Sequence, residues 1–191
     1  MNRVHNLICS SGRWARRVES ELIPWGIGQT DLGDDVLEVG PGFGATTKVL
    51  ARGPGRLSVL ELDSGYCERL RRELGELAEI TQGDATEMPF ADNSFTGAVC
   101  FTMLHHIPEP ELQDRAFAEI ARVLRPGGVF AGTDSVGTGI VFKLIHVGDT
   151  LMPIDPDALP ARLAAAGFED VKVSRSDGTF RFRATKPNGH R

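Results

Sequence analysis

The segment Val36-Leu37-Glu38-Val39-Gly40-Pro41-Gly42-Phe43-Gly44 constrains this chain more than any other. A short apolar strand runs into a carboxylate and then into three glycines on alternate positions. Glycine lacks a Cβ, so the backbone can turn sharply there and leave bare main chain for a ligand to lie against. Thr46, Thr47, Val49 and Leu50 follow as a helix predicted over 45–52. Strand, glycine loop and helix together make the opening unit of a nucleotide-binding α/β fold.

The rest of the chain continues the alternation. Further strands are predicted at 57–61, 78–82, 98–102 and 129–133, with helices at 64–74 and 109–124 between them. Arg125-Pro126-Gly127-Gly128 reads as a tight turn into the fifth strand. A short helix at 159–166 stops at Gly167, and strands at 171–174 and 179–185 flank a turn at Ser176-Asp177-Gly178. Five strands joined by helices are expected to be parallel with right-handed crossovers. The final pair forms an antiparallel hairpin. Ahead of the first strand, Ser10 and Ser11 can cap a helix through Trp25, whose apolar stripe is Trp14, Val18, Leu22 and Trp25. The expected organisation is one α/β domain over 1–191, with an N-terminal helical cap at 1–33 and a substrate lid at 135–155. In sheets of this kind ligands bind beyond the carboxyl ends of the strands, so residues just after each strand carry the functional reading.

Composition excludes several classes. The 191 residues carry a formal net charge of -5, so no overall positive field recruits nucleic acid. Arg13, Arg16 and Arg17, and near the other end Arg175, Arg181, Arg183 and Lys186, read as solvated surface charge. Cys9, Cys67 and Cys100 form no Cys-x-x-Cys pair, which points to neither a disulfide framework nor a metal site. No stretch approaches a membrane span or a signal-peptide core, and a cytoplasmic location is the expectation.

Gly40-x-Gly42-x-x-Ala45 also satisfies the dinucleotide fingerprint, so the loop alone does not choose the ligand. Glu38 does more. A carboxylate at the end of a buried strand needs a cationic or hydrogen-bonding partner, and its charge would oppose a diphosphate. Glu61 ends the second strand, where two carboxylate oxygens can accept from both hydroxyls of a ribose. Asp84 follows the third strand and is either an acceptor for an exocyclic amine or a helix cap, while Asp63 reads as the N-cap of the helix at 64–74. Three acidic strand ends around a glycine loop suit an adenosine ligand without phosphates.

Val36–Gly44, Leu60-Glu61-Leu62-Asp63, Gly83-Asp84-Ala85, Met88–Phe95, Met103-Leu104-His105-His106-Ile107 and Val123–Gly128 occur in one order across residues 36–134. In that order the chain resembles the class I S-adenosylmethionine-dependent methyltransferases, notably the small-molecule branch of ubiquinone/menaquinone and sterol methyltransferases. The resemblance implies a Rossmann-like doubly wound sheet of order 3-2-1-4-5-7-6. It implies S-adenosyl-L-methionine as cofactor and S-adenosyl-L-homocysteine as product. By the same resemblance Gly40, Gly42 and Gly44 would pack under the methionyl and ribose parts, and Glu38 would lie near the amino group. Glu61 would hold the ribose, Leu62 would pack on adenine, Asp84 and Ala85 would contact its edge, and Phe101 would line the sulfonium side. Thr96 departs from the family, which usually has an acidic residue after Ser-Phe.

Transfer to an O–H or C–H acceptor can require a base. His105 and His106, just after the fourth strand, and Asp134, just after the fifth, are the candidates. The expected acceptor is a small apolar or aromatic molecule. Two other readings share the sequence: a catalytically silent cofactor-binding or interaction protein on the same fold, and an NAD(P)-dependent oxidoreductase. The second lacks a Tyr-x-x-x-Lys pair, since Leu70 stands four residues after Tyr66, the only tyrosine. A nucleic-acid methyltransferase would resemble others in an Asn/Asp-Pro-Pro-aromatic segment where this chain has Thr102-Met103-Leu104-His105.

Overall fold

The computed structural model describes residue 7 and residues 9–137 and 150–189. The sequence expectation of a lid at 135–155, with Ile140, Val141, Phe142, Leu144, Ile145, His146 and Val147, falls largely outside them. Seven strands form one sheet in the order β3-β2-β1-β4-β5-β7-β6, the order implied by the resemblance. They are β1 (Asp35–Val39), β2 (Arg56–Glu61), β3 (Glu79–Gln82), β4 (Phe95–Phe101), β5 (Leu124–Ser135), β6 (Glu169–Ser176) and β7 (Thr179–Thr185). Neighbours among β1–β5 pair in parallel, and β7 pairs antiparallel with both β5 and β6.

Both faces of the sheet are covered, which is why its central strands read as nearly continuous apolar runs. On one face, Leu37, Leu60, Ala98, Cys100, Phe130 and Phe182 pack with Phe117, Ile120, Leu159 and Leu163 from α5 (Pro110–Val123) and α6 (Leu159–Ala165). Alternate residues of the same strands, Leu57, Val59, Val99 and Phe101, face the other way. There they meet α3 (Ala45–Leu50), α4 (Ser64–Leu74) and the N-terminal helical segment.

That N-terminal segment departs from the single helix predicted to Trp25. It consists of α1 (Gly12–Arg17), a π-helical turn (Val18–Leu22) and α2 (Ile23–Ile27). Pro24 stands in the first turn of α2 and has no N–H to continue an α-helical ladder. The residue before it, Ile23, donates instead to Val18 O, five residues back, and the wider turn absorbs the break. The expected cap holds: Ser11 Oγ accepts from Trp14 N at 3.2 Å.

β4 begins at Phe95, earlier than the predicted 98, because Thr96 is used in the strand entry. Its Oγ1 accepts from Asp35 N (3.0 Å) and donates to Leu32 O (2.8 Å), tying β4 to the approach to β1. A neutral hydroxyl thus fills the place where the family usually has an acid. β5 likewise starts earlier, at Leu124 opposite Phe95, and its pairing with β4 shifts before Gly97 meets Val129. The expected turn at Arg125–Gly128 is this irregularity, with Gly127 at φ +77°.

Candidate functional site

The carboxyl ends of β1, β2 and β4 and the turn after β3 open onto a cleft of about 650 Å3, within the size range of small-molecule sites. Its lining includes Gly40, Gly42, Glu61, Leu62, Asp84, Ala85 and His106 from the sequence-derived set. A smaller lobe of about 70 Å3 shares Gly40, Gly42 and His106 with the cleft and adds Trp14, Thr46, Phe101 and Thr102. A separate hollow of about 300 Å3 lies at the opposite ends of β1 and β2, beside Asp31 and Arg56, away from every residue of that set.

The glycine loop is shaped by what surrounds it. Gly40 has φ +66°, and a Cβ there would stand 2.3 Å from Met103 Cγ. Gly44 has φ +74°, and a Cβ would stand 2.5 Å from Leu70 Cδ2. Gly40 and Gly42 therefore present backbone to the cleft, whereas Gly44 serves the packing of α3 on α4 and lines neither lobe. Glu61 fastens the loop: Oε2 accepts from Gly42 N and Oε1 from Asp63 N, both at 3.0 Å. A carboxylate can accept about four hydrogen bonds, so two acceptor directions remain. Asp63 caps α4 by accepting from Tyr66 N at 3.0 Å, as its position predicted. Asp84 Oδ1 accepts from Thr86 N (2.7 Å) and Thr86 Oγ1 (2.8 Å) at the cleft's edge, closing a turn; no helix among the described residues begins there, so it is not the helix cap that its position also suggested. Leu62 is 65% exposed and offers an apolar surface at the rim.

Glu38 is buried, and Thr46 Oγ1, from the smaller lobe, donates to its Oε1. Among the described residues nothing hydrogen-bonds to Oε2. Burial pushes this carboxyl up to about 7, against the pull of the Thr46 hydroxyl. Glu38 itself lines neither the cleft nor the smaller lobe, which it meets only through Thr46.

The three candidate bases separate. His105 and Asp134 are buried and joined to each other: Asp134 Oδ1 meets His105 Nδ1, and Oδ2 accepts from His105 N at 3.2 Å. Neither lines the cleft or its lobe. His106 lines both, with its ring 4.2 Å from that of His105. Thr102 makes this possible. Its φ of +51° is an unusual conformation for a β-branched residue, and it turns the chain off β4 into the 3₁₀ turn Leu104–His106.

Sequence reasoning missed Met103, Tyr66, Pro108 and Leu112 as lining residues, while Thr150, which also lines the cleft, falls within the stretch 135–155 expected as a lid. Leu112 is half-buried on α5, and Gln113 takes the fully buried place in the stripe with Ala116, Phe117 and Ile120. Among the described residues no group of three or more His, Cys, Asp and Glu side chains is placed to hold a metal ion. No helix among them is long and apolar enough to cross a membrane.

A doubly wound sheet, a glycine loop with an unphosphorylated-ligand signature of acids, and a cleft at the switch between β1 and β4 define a nucleoside-binding α/β protein. A methyltransferase-domain family model matches residues 37–132, and the chain belongs to the S-adenosylmethionine-dependent methyltransferases. It is 39% identical over 113 residues to a fatty-acid O-methyltransferase of Mycolicibacterium smegmatis, covering 56% of this chain and 39% of that protein. To methyltransferase GfsG of Streptomyces halstedii it is 32% identical over 172 residues, covering 81% of this chain and 59% of that one. The chain thus spans between 39% and 59% of the length of these two relatives. Its fold superimposes on a SAM-dependent methyltransferase of Thermotoga maritima with a TM-score of 0.74 at 17% identity, covering 95% of this chain and 97% of the other.

Proposed function

We propose that this chain transfers a methyl group from S-adenosylmethionine to the oxygen of a small, largely apolar acceptor. The observation that carries the reading is the wall beyond Gly40. There Met103, Ile107, Pro108 and Leu112 continue the cleft with one titratable side chain among them, His106. The relative named fatty-acid O-methyltransferase supports an acceptor of this kind.

In this reading Gly40 and Gly42 lie under the methionyl and ribose parts, and Gly44 holds the loop from behind. Glu38 attracts the amino group, Glu61 accepts from the ribose hydroxyls, Leu62 covers adenine, Asp84 and Ala85 border its edge, and Phe101 lines the sulfonium side. S-adenosylmethionine brings an already activated methyl group. The chain's own contribution is to align the acceptor and keep water out. His106 accepts the proton of a phenolic or similar O–H, a task that contributes roughly 10²–10⁴-fold where the acceptor is not already ionised. His105 and Asp134 support the turn from behind. The charge of Glu38 beside the glycine loop would oppose a diphosphate, which argues against the nicotinamide reading.

The test is label transfer from methyl-labelled S-adenosylmethionine to dodecanoic acid, 4-methylphenol and a hydroquinone. Label should appear in at least one product. His106→Ala should slow transfer to the phenol about 100-fold and to the carboxylic acid far less, since the latter is ionised without help. Tight cofactor binding with no labelled product from any of them would favour the silent-protein reading instead.

A further inference from the structure

Gln113 is 1% exposed, and its amide is committed in every direction. Nε2 donates to Leu104 O (3.2 Å), Ile107 O (3.4 Å) and Met152 O (2.9 Å). Oε1 accepts from Arg162 Nη1 at 2.9 Å. Arg162 is itself fixed, donating through Nε to Asp114 Oδ1 (2.7 Å) and through Nη2 to Pro110 O (2.8 Å). Its guanidinium also lies over the Phe117 ring at 5.3 Å. Arginine has only donors, so Arg162 decides which end of the amide is oxygen and turns the two N–H groups toward the three carbonyls.

Those carbonyls belong to two walls of one cleft. Leu104 and Ile107 bracket the His105–His106 pair, and Met152 follows Thr150 on the facing segment. His106, Ile107 and Thr150 line the cleft, whereas Gln113 does not. Met152 N closes the same junction by donating to His105 O at 2.8 Å. We infer that Gln113, oriented by Arg162, is a positioning residue that locks the His106 turn to the Thr150–Met152 segment and so sets the acceptor side of the cleft. This role in acceptor placement rests on the methyl-transfer reading; the lock itself does not.

A buried glutamine in an apolar stripe is costly unless its amide is fully used, and an apolar residue would fill the same place on α5. What glutamine adds is the bridge between segments 39 residues apart in sequence. Gln113→Glu separates these roles, because it keeps the length and the Arg162 partner but has no N–H to donate. In that variant the amides of His106, Ile107 and Met152 should exchange with deuterium at least tenfold faster, while those of Gly42 and Asp63, held by Glu61, stay unchanged. The dissociation constant of S-adenosylmethionine should move less than twofold. With an acceptor that the wild type methylates, KM should rise about tenfold and kcat change less. Arg162→Met, which leaves the amide present but free to flip, should show a smaller change at the same three amides and covers the case in which Gln113→Glu does not fold. Unaltered exchange at those amides, or equal acceleration at Gly42 and Asp63, overturns the inference. A wild type that methylates no acceptor overturns the methyl-transfer reading, and the exchange pattern still decides the lock.

Discussion

The two sides of the cleft are built in different ways. On the β1–β3 side the polar groups, Glu38 and Glu61 buried and Asp84 exposed at the rim, are mostly tied to near neighbours. Glu61 holds Asp63 and, across to the glycine loop, Gly42; Asp84 holds Thr86. On the β4–β5 side they are buried and tied across the fold, Asp134 to His105, Gln113 to Met152 and Arg162 to Gln113. The first arrangement leaves acceptor oxygens and bare backbone along the lining of the cleft. The second commits its polar groups to holding one turn. A substitution on the first side should therefore cost affinity, and one on the second should cost stability or acceptor placement.

Asp134→Ala should show the largest effect and the clearest asymmetry. It removes the carboxylate that His105 N, His105 Nδ1 and Ser135 N meet, and each such loss at a buried group costs about 1–3 kcal/mol. A loss on the order of 4 kcal/mol lowers Tm by roughly 8–16 °C for a chain of this size, read by calorimetry. At a temperature where the variant is folded, its affinity for S-adenosylmethionine should be nearly that of the wild type. An equal loss of affinity would dissolve the distinction between the sides.

Glu38 connects stability to pH. Burial raises its carboxyl from the ordinary 4.5 to about 7, so between those values the folded chain holds a proton that the unfolded chain has released. Stability from this group is greatest below pH 4.5, falls as pH rises toward 7 and is level above it. At about 1.4 kcal/mol per unit, the decline is on the order of 3 kcal/mol. Denaturant titrations of wild type and Glu38→Gln between pH 5 and 8 should differ by this slope. Parallel curves would mean that Glu38 is ionised throughout.

Gly40→Ala should weaken S-adenosylmethionine binding at least about 100-fold, near 2.7 kcal/mol, because the new methyl must displace Met103 or the loop. Isothermal titration reads it directly, and an unchanged affinity would remove Gly40 from the ligand's bed. Leu62→Ala should be the smallest: a roughly threefold weaker affinity with unchanged Tm, since the side chain is 65% exposed and its area is buried by ligand alone. A drop in Tm would place Leu62 in the fold rather than the site.

The same division explains what could be read from the sequence. The succession of strands and helices, the Asp63 cap and the cleft's β1–β3 rim rest on local signals, alternating apolar runs, glycine spacing and carboxylates at strand ends, whereas the order of the strands in the sheet came from the family resemblance. The β4–β5 side depends on partners far apart in sequence. Nothing near Gln113 distinguishes it from a solvated glutamine, and nothing near His105 says that Asp134, 29 residues later, removes it from the cleft and leaves His106 facing inward. Thr96 was visible as a departure from the family, yet its link to Leu32 and Asp35 emerges only when β1 and β4 lie side by side. The π-helical turn before Pro24 required knowing how the segment packs, although the proline itself announced a break.

The central claim is that acids at the ends of β1 and β2 and the glycine loop between them form a receptor for a cationic, phosphate-free adenosine compound. Isothermal titration of the wild type and Glu61→Ala with S-adenosylmethionine and with NADH tests it most directly. The account expects saturable binding of S-adenosylmethionine, none of NADH, and about 30-fold weaker binding in the variant, as hydrogen bonds to a charged group contribute about 1.5–3 kcal/mol each. Binding of NADH alone, or an affinity for S-adenosylmethionine indifferent to Glu61, would contradict it.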